Sequence, residues 1–193
     1  RQCRHASRSA KAFVPTFGGK KPPSVVNIID YTYDQWKAGK LKLNSGVINE
    51  RDTYHDPSNN ARSGWITEQP REILKHICAD FVEMTPNRTD NYCCGGGGGT
   101  VSIDEIRKFR TSVGGKTKAD QIRATGAEIC VAPCANCKKQ VAEVCVDNGL
   151  DVRVCGLHDL ILKAIDAPDF MKTDGAGAND PEATEADAST EDA

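Results

Sequence analysis

Nine cysteines are the residues of this 193-residue chain whose type and spacing point most directly to chemistry. Cys93 and Cys94 are adjacent and precede five consecutive glycines, and Cys134 and Cys137 form a Cys-x-x-Cys pair. An odd number of cysteines with a vicinal pair is a poor disulfide framework, so reduced thiols that hold a metal or carry out redox chemistry are favoured. Four thiolates are enough to ligate one iron–sulfur cluster. Glycines let the backbone approach a compact inorganic group and present N–H donors to it.

The elements that must position these cysteines alternate between strand and helix patterns. The predicted strands are Val25–Ile29, Arg51–Asp56, Ala127–Pro133 and Asp151–Cys155. The predicted helices lie near Tyr31–Lys40, over Glu68–Met84, after a capping box at Ser102–Glu105, from Thr117 to Gly126, over Ala135–Asp147 and over Leu157–Ile165. Helices between strands imply parallel crossovers in an α/β sheet, whose sites form outside the carboxyl ends of the strands. Ser58 and Cys134 both follow such ends, so we expect their loops to meet there.

Most of the other cysteines are expected to belong to the core. Cys78 and Cys145 fall on apolar faces of predicted helices, and Cys130 lies within a buried strand. A core cysteine behaves as a small hydrophobe and not as a ligand. Cys155 differs, because it ends a strand on the same sheet edge as Cys134. Core packing is the expectation for Cys155 as well, and it is kept as the reserve ligand.

Several motifs together carry a family resemblance. Tyr54-His55-Asp56-Pro57, the vicinal cysteines with their glycines and the later Cys-x-x-Cys resemble the cysteine-rich CCG domain of heterodisulfide reductase B subunits and their relatives. With Pro70–Leu74 and Met84–Pro86, the chain is similar to the C-terminal part of a narrower group, the K subunits of the membrane redox complex linked to dissimilatory sulfite reduction. The resemblance covers roughly residues 50–165. It implies a Rossmann-like parallel sheet with flanking helices.

The resemblance also implies a cofactor, a 4Fe-4S cluster of unusual, non-cubane type. The implied metal ligands are Cys93, Cys94, Cys134 and Cys137. Gly95, Gly96 and His55 are the expected cofactor contacts, with two alternatives for His55: a donor to a cluster sulfur, or a structural histidine whose hydrogen bonds are satisfied within the protein. Ser58 is the departure, because the family usually has a cysteine at this position after His-Asp-Pro. Three arrangements stay open: a serine oxygen or water on one iron, a substitute thiolate from Cys155, or a cubane held by four cysteines.

The function implied by the resemblance is that of an oxidoreductase acting on sulfur groups. As an iron–sulfur subunit of a heterodisulfide reductase-like complex, the chain would pass electrons to a disulfide or trisulfide in anaerobic sulfur metabolism, including sulfate reduction. The expected partners are the other subunits of a membrane-bound redox complex and a small sulfur-carrier protein or disulfide substrate. The expected location is cytoplasmic and peripheral to the membrane through partner subunits. The alternatives are a non-catalytic electron-transfer subunit with a four-cysteine cubane, and a zinc-stapled interaction module.

Charge and composition exclude two classes of partner and suggest the domain limits. The net charge is -2, and the basic residues are too scattered to predict binding to nucleic acid. No apolar run approaches the roughly 18 residues of a membrane span, so direct membrane insertion is not expected. We predict the end of a preceding CCG-like repeat and a connector over residues 1–50, and a CCG iron–sulfur domain over 51–168. Residues 169–193 are predicted to be a disordered acidic tail, with seven acids and no Lys or Arg after Thr173.

Overall fold

Four parallel strands form the centre of the computed structural model, which describes residues 26–166. In chain order they are β1 (Ile48–Tyr54), β2 (Cys78–Val82), β3 (Ile129–Val131) and β4 (Arg153–Cys155). Their order across the sheet is β2-β1-β3-β4. The predicted α/β class with a parallel sheet and flanking helices is confirmed. Cys3, the predicted tail and most of the proposed preceding repeat lie outside the described residues.

The flanking helices cover both faces of the sheet. They are α1 (Ile28–Lys37), α2 (Ser58–Ala61), α3 (Glu68–Ile77), α4 (Lys116–Thr125), α5 (Ala135–Asp147) and α6 (Leu157–Ala164). Short 3-10 turns (Arg88–Asp90, Thr100–Ser102 and Asp104–Ile106) and a π-helical segment (Phe109–Val113) connect β2 to α4. The helix α5 has the predicted limits, and α6 ends one residue earlier than predicted.

Alternation along the central strands divides the interior into two apolar cores. Ile129 and Val131 pack with residues of α1, α3 and α6 on one face. Cys130, between them, packs with residues of α4 and α5 on the other face. This is the period-2 pattern expected of a strand that is buried on both sides.

Two predicted elements near the start of the chain are wrong. The strand predicted over Val25–Ile29 is replaced by the start of α1, because the Asn27 side chain accepts a hydrogen bond from the Ile29 N–H at 2.9 Å and caps the helix. The helix predicted over Glu68–Met84 ends at Ile77. Cys78–Val82 is the edge strand β2 instead, because pairing with β1 decides the conformation of a short apolar run that fits either pattern.

The predicted start of the helix after the glycine run is also wrong. The residues of the capping box at Ser102–Glu105 form 3-10 turns, and α4 has Gly115 rather than Thr117 as its N-cap. A Cβ atom on Gly115 would lie 2.5 Å from the Thr111 carbonyl oxygen and 2.5 Å from Cγ2 of Val144. Close approach to α5 therefore requires glycine here. Gly126, at φ 62°, ends α4 as predicted.

Among residues 26–166, no helix has both the length and the apolar character that a membrane crossing requires.

Asp52 is a carboxyl group buried in the middle of β1. The residue is 0% exposed, and neither carboxylate oxygen has a hydrogen-bond partner of good geometry within residues 26–166. Burial raises its pKa from 3.8 to about 7, and the Cys78 thiol only partly offsets this increase. The folded protein therefore holds a proton on Asp52 that the unfolded chain loses near pH 4.

The Asp52→Asn variant should be more stable than the wild type above pH 7. The wild-type free energy of unfolding should fall between about pH 4 and pH 7, since the unfolded state binds fewer protons there. The variant lacks this loss, which gives an expected gain on the order of 1–3 kcal/mol at pH 8 that disappears at pH 4. Urea unfolding at both pH values measures the difference. Asp120→Asn, at a half-exposed carboxylate on α4, is the control and should not reproduce the pH dependence.

Candidate functional site

The strand order creates a crevice between the carboxyl ends of β1 and β3. The chain leaves β1 toward β2 on one side, while β3 lies on the other side, so this is the point at which the strand order reverses. Loops diverge at such a point and leave room for a ligand. The His55 N–H donates to the Val131 carbonyl oxygen at 2.9 Å, which holds the loop after β1 beside the loop that leads to Cys134.

A cleft of about 140 Å³ occupies this crevice. Its lining residues are His55, Pro57, Ser58, Asn59, Asn60, Cys93, Cys94, Gly96, Gly97, Gly98, Cys134, Asn136 and Cys137. The structure thus brings together all four predicted cysteine ligands, with the predicted Ser58, His55 and Gly96. All four cysteines are free thiols. Gly95 borders the cleft without lining it, and Cys155 does not line it.

The helix α5 positions two of the four thiols at its N-terminus. Cys134 is the N-cap residue, and Cys137 lies in the first turn. The Cys137 thiol lowers the pKa of Cys134 to about 6, and the backbone N–H groups of Cys137 and Asn136 add to this effect. A helix N-terminus stabilises a thiolate because its N–H groups carry partial positive charge. Cys134 is therefore anionic at neutral pH.

The other two thiols complete a chain of sulfur contacts. The Cys94 and Cys137 sulfur atoms lie 3.3 Å apart, and the Cys93 thiol hydrogen-bonds Cys94 from the other side. Contacts with Cys137 and Cys93, together with the nearby His55 ring, hold the pKa of Cys94 far below its usual range. The same contacts raise the pKa values of Cys93 and Cys137, which supply the protons. Four converging sulfurs with two thiolates are a donor set for a soft metal, whose binding would release the remaining protons.

His55 is an independent indication that a group belongs in the cleft. The residue is 1% exposed, and neither ring nitrogen has a hydrogen-bond partner of good geometry among residues 26–166. A buried polar group without a partner is costly, and a bound ion or water is one of the physical explanations for such a group. Ligand atoms of His55, Cys94 and Cys137 all lie within 4.8 Å of one another. The imidazole fits either a direct metal ligand or a donor to a cluster sulfur.

The glycine run places Cys93 and Cys94 against α5. Gly95 has φ +86°, and its N–H donates to the Cys93 sulfur at 3.3 Å. A Cβ atom on Gly96 would lie 2.7 Å from Cβ of Gln140, so only glycine allows this approach. Gly95 therefore contacts the site by donating its N–H to a thiol. Gly96 lines the cleft and packs on α5.

Behind the glycine run lies a polar contact that the sequence did not reveal. Gln140 is 0% exposed, and its side-chain oxygen accepts a hydrogen bond from Arg110. Arg110 in turn pairs with Glu143 at 2.7 Å. These side chains come from the π-helical segment and from α5, so they fix the surface on which Gly96 rests. In the sequence, this contact is indicated only by the fact that Gln140 and Arg110 are polar residues at positions that face inward in a helical pattern.

The sequence does not decide whether Ser58 or Cys155 is a metal ligand. Ser58 begins α2 and lines the cleft together with Cys93. The neighbouring Cys94 raises the pKa of Cys93, and the Ser58 hydroxyl opposes that effect. Cys155 ends β4 as predicted, but its side chain is 6% exposed and packs in the core beside Leu157 and Val131.

A buried ion pair holds the loop that carries His55 and Ser58. Both oxygens of Asp56 accept hydrogen bonds from the Arg71 guanidinium, at 2.9 and 2.7 Å, and each side chain is 1% exposed. Arg71 also donates to Glu83 at 2.7 Å. Asp56 accepts the Arg88 N–H at 2.7 Å as well. Both halves of the ion pair lie in the motifs quoted above, although the sequence did not show that they are in contact.

Comparison with known proteins gives one matching family model. Residues 53–142 match the model of the CCG cysteine-rich domain. This range contains all four cysteines of the cleft, together with His55, Ser58 and the glycine run.

Curated relatives include several components of redox complexes. The D subunit of the dihydromethanophenazine:CoB–CoM heterodisulfide reductase from Methanosarcina barkeri is 30% identical, over 84% of this chain and 39% of its own length. The Hdr-like menaquinol oxidoreductase iron–sulfur subunit 2 from Archaeoglobus fulgidus is 31% identical, over 58% of this chain and 21% of its own length. The EtfAB:quinone oxidoreductase from Syntrophomonas wolfei is 28% identical, over 73% of this chain and 20% of its own length. The chain thus spans well under half of these relatives. No solved structure gives a significant match.

Replacing Arg71 by Met should strongly destabilise the protein. The variant leaves Asp56 buried without its counter-charge, which typically costs about 3–5 kcal/mol. The control is Arg51→Met, which removes a half-exposed ion pair with Asp80 and should cost less than about 1 kcal/mol. Chemical denaturation measures both. Equal losses in the two variants would contradict a special role for the buried pair.

Proposed function

Since the chain carries a CCG cysteine-rich domain and is related to the D subunit of heterodisulfide reductase and to Hdr-like iron–sulfur subunits, we propose that it is an iron–sulfur subunit of a redox complex of that kind. The observation that carries the proposal is the convergence of four free thiols on one cleft at the reversal point of the sheet. The names of the relatives favour iron–sulfur chemistry, and the cleft offers the ligands that this chemistry needs.

The proposed cofactor is a 4Fe-4S cluster held by Cys93, Cys94, Cys134 and Cys137. When bound, it supplies single electrons for the cleavage of a sulfur–sulfur bond in a disulfide or trisulfide. The protein stabilises the negative charge of the site with the N-terminus of α5 and with the Gly95 N–H. His55 orients the site by donating a ring N–H to a sulfur. Cys93 is the exposed thiol of the four, so its side of the cleft is where a substrate would enter.

The proposed setting is a multi-subunit complex at a membrane. Relatives include a menaquinol oxidoreductase subunit from Archaeoglobus fulgidus and a probable membrane-anchored ferredoxin from Chromohalobacter salexigens. In this proposal other subunits reach the membrane and deliver electrons, and this chain is peripheral and faces the cytoplasm. The finer resemblance to the K subunits of the sulfite reduction complex belongs to the same proposal, with a small sulfur carrier or disulfide as the substrate.

A second candidate function is supported by Ser58. It lines the cleft with Cys93, at the position where the resembled family has a thiolate. With the four cysteines that residues 26–166 bring to the cleft, the site would suit a closed cubane that transfers electrons and binds no substrate. The chain would then be a non-catalytic electron-transfer subunit of the same kind of complex.

The Cys137→Ala variant should lose the brown chromophore and the bound iron of anaerobically prepared protein. Cys137 contacts both Cys94 and Cys134, so its removal interrupts the sulfur chain at its centre. Cys145→Ala is a matched control, because Cys145 is equally buried on the same helix but lies in the core. It should keep its iron and lose only about 1–2 kcal/mol of stability.

Iron and acid-labile sulfide analysis separates the remaining possibilities. Equal iron in Cys137→Ala and Cys145→Ala would remove the ligand assignment. Zinc in place of iron in the wild type would instead indicate the zinc-stapled interaction module, with Cys93, Cys94, Cys134 and Cys137 as its four ligands.

The Ser58→Cys variant should change the electron paramagnetic resonance spectrum of the oxidised cluster without changing the iron content. The new thiol would stand next to Cys93 and offer a softer, more readily deprotonated ligand than the hydroxyl. Ser63→Cys, on the loop after α2, is the control and should leave the spectrum unchanged. Identical spectra for wild type and Ser58→Cys would show that this position does not contact the cluster. Spectra recorded with a disulfide substrate distinguish the catalytic role from the electron-transfer role.

A further inference from the structure

Lys118 is a buried basic residue of α4. The residue is 1% exposed, on the face of α4 that packs on the sheet. Its ammonium donates to the Gln121 side-chain oxygen at 2.6 Å and lies 3.9 Å from the Met84 sulfur. Within residues 26–166 it forms no ion pair with Asp or Glu. A buried ammonium is costly unless an opposite charge compensates it.

The groups around Lys118 point to the cleft as the source of that charge. Met84, which the ammonium contacts, packs in the same apolar core as Cys94, Cys130 and Cys137. Burial lowers the pKa of Lys118, and the groups whose negative charge would oppose this decrease are Cys130, Cys94, Asp56 and Cys93. Asp56 is already paired with Arg71, and burial raises the pKa of Cys130, so its thiol is neutral. This leaves the two vicinal cysteines of the cleft, which would both be thiolates when they ligate a metal.

We infer that Lys118 is the buried counter-charge of the metal group in the cleft and sets its reduction potential. The inference deepens the proposed function and rests on it. Four thiolates make the site anionic, and reduction adds a further negative charge. A positive charge held in a low-dielectric interior stabilises the reduced form over the oxidised form and so raises the reduction potential. Lys118 acts through charge and touches neither metal nor substrate, so it is a positioning residue and not a catalytic one.

A simpler role would be structural. Gln121, which accepts from Lys118, also donates to the Pro86 carbonyl oxygen at 3.0 Å. Lys118 could then serve only to hold α4 against the segment after β2. A structural role predicts a change in stability but no change in reduction potential, so a redox titration separates the two.

The test compares the midpoint potential of Lys118→Met with that of the wild type in anaerobic redox titrations followed by electron paramagnetic resonance. Methionine keeps the length of the side chain and removes its charge. At the potential where half of the wild-type cluster is reduced, we expect the ratio of reduced to oxidised cluster to fall by about tenfold. Lys116→Met removes the same charge from an exposed position on the same helix and should leave the ratio unchanged.

A second variant covers the case in which Lys118→Met does not fold. Gln121→Glu keeps Lys118 and places a carboxylate against it, so the ammonium is neutralised where it stands. We expect a decrease in potential in the same direction, and Lys118→Arg should retain the wild-type potential. Wild-type potentials in both Lys118→Met and Gln121→Glu would overturn the inference and leave the proposed function intact. A wild type without any cluster would overturn the proposed function and the inference with it.

Discussion

The ion pair between Arg71 and Asp56 is the constraint on which the geometry of the cleft depends. Asp56 lies between His55 and Pro57 in the loop after β1. The hydrogen bonds to its carboxylate therefore also fix the positions of these two neighbours. The guanidinium also binds Glu83, which ties α3 and the segment after β2 to the same point. Replacing such a pair by apolar residues can be neutral for stability, whereas a half-broken pair is not. We therefore interpret it as a device that selects one position of the loop.

Charge balance is the second principle of the site. A group ligated by thiolates brings negative charge into a partly buried cleft, and the surroundings must offset it. In the proposed metal site, the N-terminus of α5, the Gly95 N–H and the buried ammonium of Lys118 would do so from three different segments. These segments come together only when the sheet has formed, because its strand order places β1 beside β3. The charge balance of the cleft therefore depends on formation of the sheet.

Local patterns predicted the parts of this structure that depend on local physics. The limits of α5 follow from a strand end, a loop with cysteines and a regular apolar face, and the convergence of Ser58 with Cys134 follows from the parallel sheet. Contacts between residues that are far apart in the sequence determine the remaining features. Cys78 had an apolar spacing that suits a helix, yet β1 recruits it into a strand. The partners of Arg71 and Lys118 could not be predicted, because a charged residue on a helix usually faces solvent and only the assembled core shows otherwise.

The two apolar cores on either side of the sheet differ in what fills them. The core against α1, α3 and α6 consists mainly of large aliphatic side chains such as Ile73 and Leu160. The opposite core, against α4 and α5, contains four cysteines, two of which belong to the cleft. Local stability follows local packing. One half of the molecule is therefore self-sufficient, whereas the proposed metal group would tighten the other half when it binds. The hydrogen-exchange rates of the amides in α5 would change when the cofactor binds, and those in α3 would stay the same.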